Sequence, residues 1–225
     1  HPKTIKEATL KHKADIGIAF DGDGDRVVMI DHLGNITDGD QLVLVIARAL
    51  KEKNQLKGGV VGTLMTNMAI EKALKELEID FVRTHVGDRY VLETLLEKGW
   101  SIGGENSGHI LTLDAHSTGD AIIASLQVLK SLRLLNQSLH DATKDAPLFP
   151  QILINIEMHK KIDLENNKSI QDVIKNVEAK LNNKGRVLLR PSGTEPKIRV
   201  MVEGENLEEV KTYAYQIAEK VKEAA

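Results

Sequence analysis

Along the chain the apolar residues change period several times, and each change marks an element. Residues 16–20 form a short apolar run that ends at a Gly/Asp cluster, the pattern of a buried strand entering a loop. Residues 27–30 and 36–37, separated by His32-Leu33-Gly34-Asn35, read as a hairpin. The segment 41–51 is apolar on most sides and predicts a buried helix. Strands and helices then alternate. Residues 59–64 predict a strand, and Ile70, Ala73, Leu74 and Leu77 fall at the i, i+3, i+4 and i+7 positions of a helix. Residues 79–86 predict a strand, and a helix over 88–98 turns Val91, Leu92 and Leu95 inward and ends at Gly99. Residues 100–102 and 109–113 flank a polar, Gly-rich loop, and a long helix follows over 120–135. This alternation predicts a layered α/β domain with a mainly parallel sheet.

The rhythm breaks at Ala146-Pro147-Leu148-Phe149-Pro150, the best linker in the chain. Beyond it Ile152, Ile154, Ile156 and Met158 alternate with Leu153, Asn155 and Glu157, a strand with one strongly apolar face. Ser169, with Asp172 three residues on, is the expected cap of a helix carrying Ile170, Val173, Ile174, Val177 and Leu181. Residues 186–189 and 198–202 predict strands around a Pro/Gly loop, and Asn206 opens a helix with Leu207, Val210, Ala214, Ile217 and Val221 inward. The order β-α-β-β-α predicts a smaller α+β domain with both helices on one sheet face. The sequence carries no internal repeat and no low-complexity tract.

Composition narrows the function classes. The 225 residues include 41% hydrophobic and 28% charged positions, the balance of a globular protein. A formal net charge of −3 argues against a nucleic-acid partner, which calls for a clearly basic surface. No cysteine is present, which excludes a disulfide framework and thiolate metal sites and fits a cytoplasmic location. The longest aliphatic run, 42–47, falls far short of the ~20 residues of a spanning helix, so no membrane partner is expected. His1-Pro2-Lys3-Thr4 resembles no signal peptide, and without an initiating Met the chain is expected to be a piece of a longer one.

Three loops carry chemistry. In Asp21-Gly22-Asp23-Gly24-Asp25-Arg26 the carboxylates recur at every second position, with glycines that let the backbone curl until their oxygens converge. Such a cluster repels itself unless a hard divalent cation, Mg²⁺ or Ca²⁺, takes oxygen ligands from it. An EF-hand is excluded by spacing, because Arg26 and His32 stand where that loop needs Gly and Glu. Three protein carboxylates leave coordination positions for a phosphate oxygen, which suits Mg²⁺ as a Lewis acid, and Arg26 is placed to hold that phosphate. The second loop, Gly103-Gly104-Glu105-Asn106-Ser107-Gly108-His109, packs carboxylate, amide, hydroxyl and imidazole together, a set suited to a polyol. Its histidine can also move protons near neutral pH. The third, Arg190-Pro191-Ser192-Gly193-Thr194-Glu195-Pro196 with Lys197 and Arg199 beyond, reads as an anion cradle with two bidentate guanidinium donors. It lacks Walker A spacing. A fainter candidate is Val86-Gly87-Asp88-Arg89-Tyr90, where Asp88 serves either a ligand or simply the start of a helix. His12, His116, His140 and His159 show no partner spacing and are expected at surface or satisfied positions.

In this order, Asp-Gly-Asp-Gly-Asp-Arg, Val-Gly-Asp-Arg-Tyr, Gly-Glu-Asn-Ser-Gly-His and Pro-Ser-Gly-Thr-Glu-Pro, the chain resembles the α-D-phosphohexomutase superfamily through essentially its whole length. It is most similar to bacterial members that interconvert glucosamine 6-phosphate and glucosamine 1-phosphate. The family has four domains. The resemblance implies that residues 1–38 are the tail of domain 2, an α/β remnant holding the metal loop; residues 39–146 are the sugar-binding domain 3; and residues 147–225 are the phosphate-binding domain 4. It further implies Asp21, Asp23 and Asp25 as Mg²⁺ ligands and Arg26 as a phosphate contact. Glu105, Asn106, Ser107, Asp88 and Arg89 would attend the sugar, with His109 as acid/base. Arg190, Ser192, Gly193, Thr194 and Arg199 would grip the phosphate that is not transferred.

One departure matters. The family's phosphoryl donor is a phosphoserine in an Ala-Ser-His-Asn-Pro type loop, and none of Ser101, Ser107 or Ser192 lies in that context. The resemblance therefore implies that the parent is a mutase acting on a phosphorylated hexosamine, and that these residues alone do not turn it over. Two alternatives stand beside it: the same reaction on mannose or glucose phosphates, and a non-catalytic sugar-phosphate binding module. An orphaned hairpin edge would also permit a homodimer.

Overall fold

A helix that the apolar pattern did not announce opens the chain. α1 (Lys3–Lys11) is largely polar and buries Thr9, whose hydroxyl donates to Ile5 O at 2.7 Å. It packs on β1 (Ile16–Phe20), where Gly17 leaves no room for a Cβ against Thr9 and Ile5. β1 pairs antiparallel with β2 (Val27–Asp31), and β2 with β3 (Ile36–Thr37), the expected hairpin. The register sets Phe20 opposite Val27, so the whole Asp/Gly loop is the connection between two paired strands.

This computed structural model describes residues 2–158, 163–192 and 195–224, and it divides into two units, His1–Pro147 and Leu148–Ala225. In the first unit α2 (Gly39–Glu52) is capped by Asp38, which accepts from Gln41 N, and it buries every residue from Leu42 to Ala47. The alternation then runs β4 (Val60–Thr63), α3 (Met68–Glu76), β5 (Phe81–Thr84), α4 (Asp88–Lys98), β6 (Ile102–Gly104), β7 (Ile110–Thr112) and α5 (Ala121–Leu135). The sheet order is β5-β4-β6-β7, with β4 parallel to both β5 and β6, and only β7 antiparallel. This is the mainly parallel sheet predicted from the alternation. Because β4 lies between strands that follow it in sequence on opposite sides, its carboxyl end is the topological switch point, where α/β sheets bind ligands. Gly99 ends α4 in the left-handed conformation (φ 64°), as its position implied. A short helix, α6 (Leu139–Thr143), capped by Ser138, was too brief to show a period.

The second unit is the β-α-β-β-α arrangement: β8 (Gln151–Glu157), α7 (Lys168–Leu181), β9 (Gly185–Pro191), β10 (Lys197–Gly204) and α8 (Leu207–Ala224). β10 is central and antiparallel to both neighbours. Ile198, Val200 and Val202 share one core with Ile170, Val177 and Leu181 of α7 and with Val210, Ala214, Ile217 and Val221 of α8. Both helices therefore cover the same face. The α7 cap differs from expectation: Asn167, not Ser169, accepts from Ile170 N, because the helix starts two residues earlier and Ser169 already lies inside it.

Candidate functional site

The acidic loop is shaped first by its own backbone. Asp21 Oδ1 accepts from Gly24 N (3.1 Å) and Arg26 N (3.2 Å), and Asp21 N donates to Arg26 O (3.2 Å). Gly24 supplies the left-handed turn (φ 75°) that this closure requires. One carboxylate oxygen thus ties the loop, and the other is left for a ligand. Asp21 Oδ2 and Asp25 Oδ1 are buried without a hydrogen bond, although Arg26 Nε lies 2.8 Å from the first and 3.6 Å from the second as an ion pair. Asp21, Asp23 and Asp25 bring carboxylate oxygens within 4.8 Å of one another, the one such acidic or histidine cluster among the described residues. Desolvation works against ionising Asp21, yet the N–H of Arg26, Asp25 and the guanidinium together hold its carboxyl below the usual range. Arg26 is in turn held more firmly protonated by Asp21 and then Asp25. Converging, ionised and under-bonded oxygens are the donor set a hard divalent cation fits.

Main-chain bonds carry this loop onto the second one. Arg26 pairs as an isolated antiparallel bridge with His109, Val27 N donates to Gly108 O (3.1 Å), and Ala121 N donates to Gly24 O (2.9 Å). The 103–109 segment is the tip of the β6–β7 hairpin, closed by Glu105 N to His109 O and Gly108 N to Glu105 O, both 3.0 Å. His109 is buried, with Nε2 3.7 Å from Asp25 Oδ2 and 3.9 Å from Asp88 Oδ2. The structure therefore brings Asp21, Asp23, Asp25, Arg26, Asp88 and His109 together. Glu105 Oε1 accepts from Gly87 N (2.9 Å), joining the hairpin tip to the start of α4. Asn106 is half-buried, while Ser107 is exposed at the rim of a cavity of about 260 Å³ with Phe20, Asp21 and Arg26. Arg89 does not join them; it is exposed and bonded to Glu93 one turn along α4 (2.7 Å). Asp88 makes no capping bond either, since Gly87 occupies the N-cap with φ 134°.

Two glycines at the site escaped the sequence reading. Gly119 lies against the His109 imidazole, where a Cβ would meet Nε2 and Cε1, and Gly39 lies against Glu105 O and Gly108 N. The available signal was a glycine beside each helix cap, before it in Thr118-Gly119-Asp120 and after it in Asp38-Gly39-Asp40. There the absence of a side chain serves the neighbouring loop rather than the helix.

The basic loop belongs to the second unit. It joins β9 to β10, and the register places Arg190 directly opposite Arg199. Arg199 Nη2 donates to Ser192 Oγ (3.3 Å) and lies 3.7 Å from Glu195 Oε2, and its Nε is buried without a partner. Burial and then the neighbouring Arg199 push the Arg190 guanidinium below its usual pKa. Two like charges in register on paired strands repel, an arrangement suited to a shared anion. Gly193, Thr194 and His159 lie outside the described residues.

Residues 38–148 match the family model for phosphoglucomutase/phosphomannomutase, alpha/beta/alpha domain III, and residues 153–220 match that for the phosphoglucomutase/phosphomannomutase C-terminal domain. The phosphoglucosamine mutase of Methylobacillus flagellatus is 55% identical over 100% of this chain and 50% of its own length. That of Proteus mirabilis is 54% identical over 98% of this chain and 49% of its own length. The chain thus spans about half the length of the curated relatives it matches. Among solved structures, Aspergillus fumigatus N-acetylphosphoglucosamine mutase in complex with GlcNAc-6P and magnesium superposes with a TM-score of 0.78. It covers 92% of this chain and 52% of that one, and at 22% identity it speaks to the fold.

Proposed function

The chain belongs to the phosphoglucomutase/phosphomannomutase family, and from that premise we propose that it supplies the metal-, sugar- and phosphate-binding parts of a mutase interconverting glucosamine 6-phosphate and glucosamine 1-phosphate. In this reading residues 1–38 complete a metal-binding domain, 39–146 bind the sugar and 147–225 bind phosphate. The observation that carries it is the pairing of two opposite charge designs. The carboxylates of Asp21, Asp23 and Asp25 converge, with an under-bonded oxygen on Asp21 and another on Asp25, and facing guanidiniums stand at Arg190 and Arg199.

Asp21, Asp23 and Asp25 would hold Mg²⁺, which supplies charge neutralisation for a phosphoryl group in transfer. Arg26 contributes a fixed positive charge at the same place, held there by Asp21 and Asp25. His109, buried with Nε2 facing Asp25 and Asp88, is the candidate acid/base for the reacting hydroxyl. Glu105, Asn106 and Ser107 offer the acceptor and donor set that reads sugar hydroxyls in either orientation of the substrate. Arg190, Ser192 and Arg199, with Gly193 and Thr194, would grip the phosphate that is not transferred, which contributes orientation rather than chemistry. The phosphoserine donor lies outside this sequence, so the chain by itself binds without turning over. A cytoplasmic setting follows from this substrate; among the described residues no helix is long and apolar enough to cross a membrane.

Calorimetric titration of the chain with glucosamine 6-phosphate and mannose 6-phosphate in Mg²⁺ tests the reading. Glucosamine 6-phosphate should bind more tightly, and Arg190→Ala should weaken it by about tenfold or more, the loss of a bidentate charged contact. No detectable heat at millimolar ligand, or equal binding by the Arg190→Ala chain, sinks the proposal.

A further inference from the structure

The carboxyl end of β4 carries a polar turn that neither the motifs nor the proposed roles account for. Thr63, Thr66 and Asn67 are all buried. The turn is closed internally: Thr66 N donates to Thr63 O (3.0 Å), Thr63 N to Thr66 Oγ1 (2.9 Å), and Met65 N to Thr63 Oγ1 (3.1 Å). Two charged side chains from elsewhere clamp it. From β5, Arg83 donates to Thr63 O (2.9 Å) and Thr66 O (2.7 Å) and is anchored by Glu71 (2.6 Å). From the first turn of α2, Asp40, itself buried, accepts from Asn67 N at 2.7 Å. Burying charged groups to fix a turn is costly unless the turn's position matters.

Its position is specific. Parallel registers set Thr63 opposite Thr84 of β5 and Val61 opposite Gly103 of β6, so residues 64–66 emerge between the 85–88 and 105–109 segments. Glu105 reaches from the β6 end to Gly87 after β5, spanning the end of the strand between them. Asp40 also follows Gly39, whose N–H donates to Asn106 O (3.3 Å) and whose missing side chain makes room for Glu105 O. One short segment, Asp38-Gly39-Asp40, thus fixes both the hairpin tip and the β4 turn.

We infer that the 63–67 turn is the floor of the sugar crevice beneath the Glu105–Gly87 bridge, and that Asp40 is a positioning residue that sets its height against the 105–109 tip. The floor's ligand-facing role rests on the phosphosugar reading above; the positioning role of Asp40 does not. Amide exchange and chemical shifts of the isotopically labelled chain test both. Asp40→Ala should speed exchange at Asn67 by about tenfold or more while Val60 and Val61 keep wild-type protection, and Asp40→Asn, which keeps an acceptor oxygen, should restore it. Arg83→Met provides an independent route if Asp40→Ala does not fold, with faster exchange expected at Thr66. Wild-type protection at Asn67 and Thr66 in these variants overturns the positioning role. On adding glucosamine 6-phosphate, the Leu64 and Met65 amides should shift together with Glu105 and Asn106, and less so in Asp40→Ala. Shifts at 105–106 without any at 64–65 overturn the floor. A titration that moves no amide overturns the phosphosugar reading and the floor with it, while the exchange arm still decides the role of Asp40.

Discussion

The acidic loop of the first unit and the basic loop of the second are both built to meet charge, but they are held in different ways. Main-chain bonds from Arg26, Val27, Gly108 and Ala121 stitch the acidic loop to a hairpin tip and a helix start, beside the one Asp21 oxygen that closes the loop on itself. The basic loop has short backbone closures, Ser192 N to Lys197 O and Lys197 N to Glu195 O, both 2.7 Å, and Met158 N donates to Pro196 O at 2.8 Å; among its described residues charged side chains supply most of the remaining contacts. Lys197 pairs with Glu195 at 2.9 Å, and Arg199 stands 3.7 Å from the same carboxylate and opposite Arg190. A backbone-set site is pre-organised and insensitive to salt; a charge-set site shifts with ionic strength and with its ligand.

The largest effect that separates them is expected from Gly108→Ala. Gly108 sits at φ 95°, and a Cβ there would run into the carbonyl of Val27, the residue whose N–H makes the stitch to Gly108 O. Strain and lost bonding together should cost about 3 kcal/mol. Urea denaturation followed through Trp100, which lies in the first unit, measures it. A loss below about 0.5 kcal/mol, the size of an ordinary surface change, would mean that the acidic loop is not held by its backbone.

Asp38 sharpens the same contrast from within the first unit. Burial holds its carboxyl up at about 6 against an ordinary 3.8, although it caps α2 by accepting from Gln41 N. The folded chain keeps a proton that the unfolded chain releases in that window. Its contribution therefore favours folding below pH 3.8 and is lost as pH rises through about 6. Asn caps as well as Asp without a charge to desolvate. Asp38→Asn should stabilise the chain at pH 8 by on the order of 2 kcal/mol and be neutral near pH 4. A net loss at pH 8 would show that the charge itself holds the segment beneath the hairpin tip.

How far the sequence could be read follows the same division. Elements with a sustained period were legible, including the strand–helix alternation, the Gly99 stop and the one-sided core of the second unit. α1 was not, because its surface is polar around a single buried Thr9, and α6 is only five residues long. Site residues that recur within a short motif were legible as well: Asp21, Asp23, Asp25 and Arg26 do converge with His109. What could not be read was support supplied from a distance. Gly39, Asp40, Arg83 and Gly119 act on loops ten or more residues from them, and only the packing of helix starts and strand ends brings them there. Arg89 shows the opposite error: its motif placed it beside the site, but Glu93 at i+4 holds it along its own helix.

The smallest expected effect probes the charge-set loop directly. Arg190 has no acidic partner within ion-pair distance among the described residues, and Arg199 keeps a buried Nε without a hydrogen bond. In phosphate-free, low-salt buffer Arg199→Met keeps the aliphatic stem and removes a like charge from the facing pair. The second unit should then gain about 0.5 kcal/mol, read from slower amide exchange along β10. Added salt should erase the gain, because screening already relieves the pair, and phosphate should reverse it, because only the wild-type chain presents both guanidiniums to the anion. A variant that is less stable than wild type under all three conditions would mean that Ser192 and Glu195 satisfy Arg199 as a structural residue. The contrast between a backbone-set and a charge-set site would then fail at the point where it is easiest to measure.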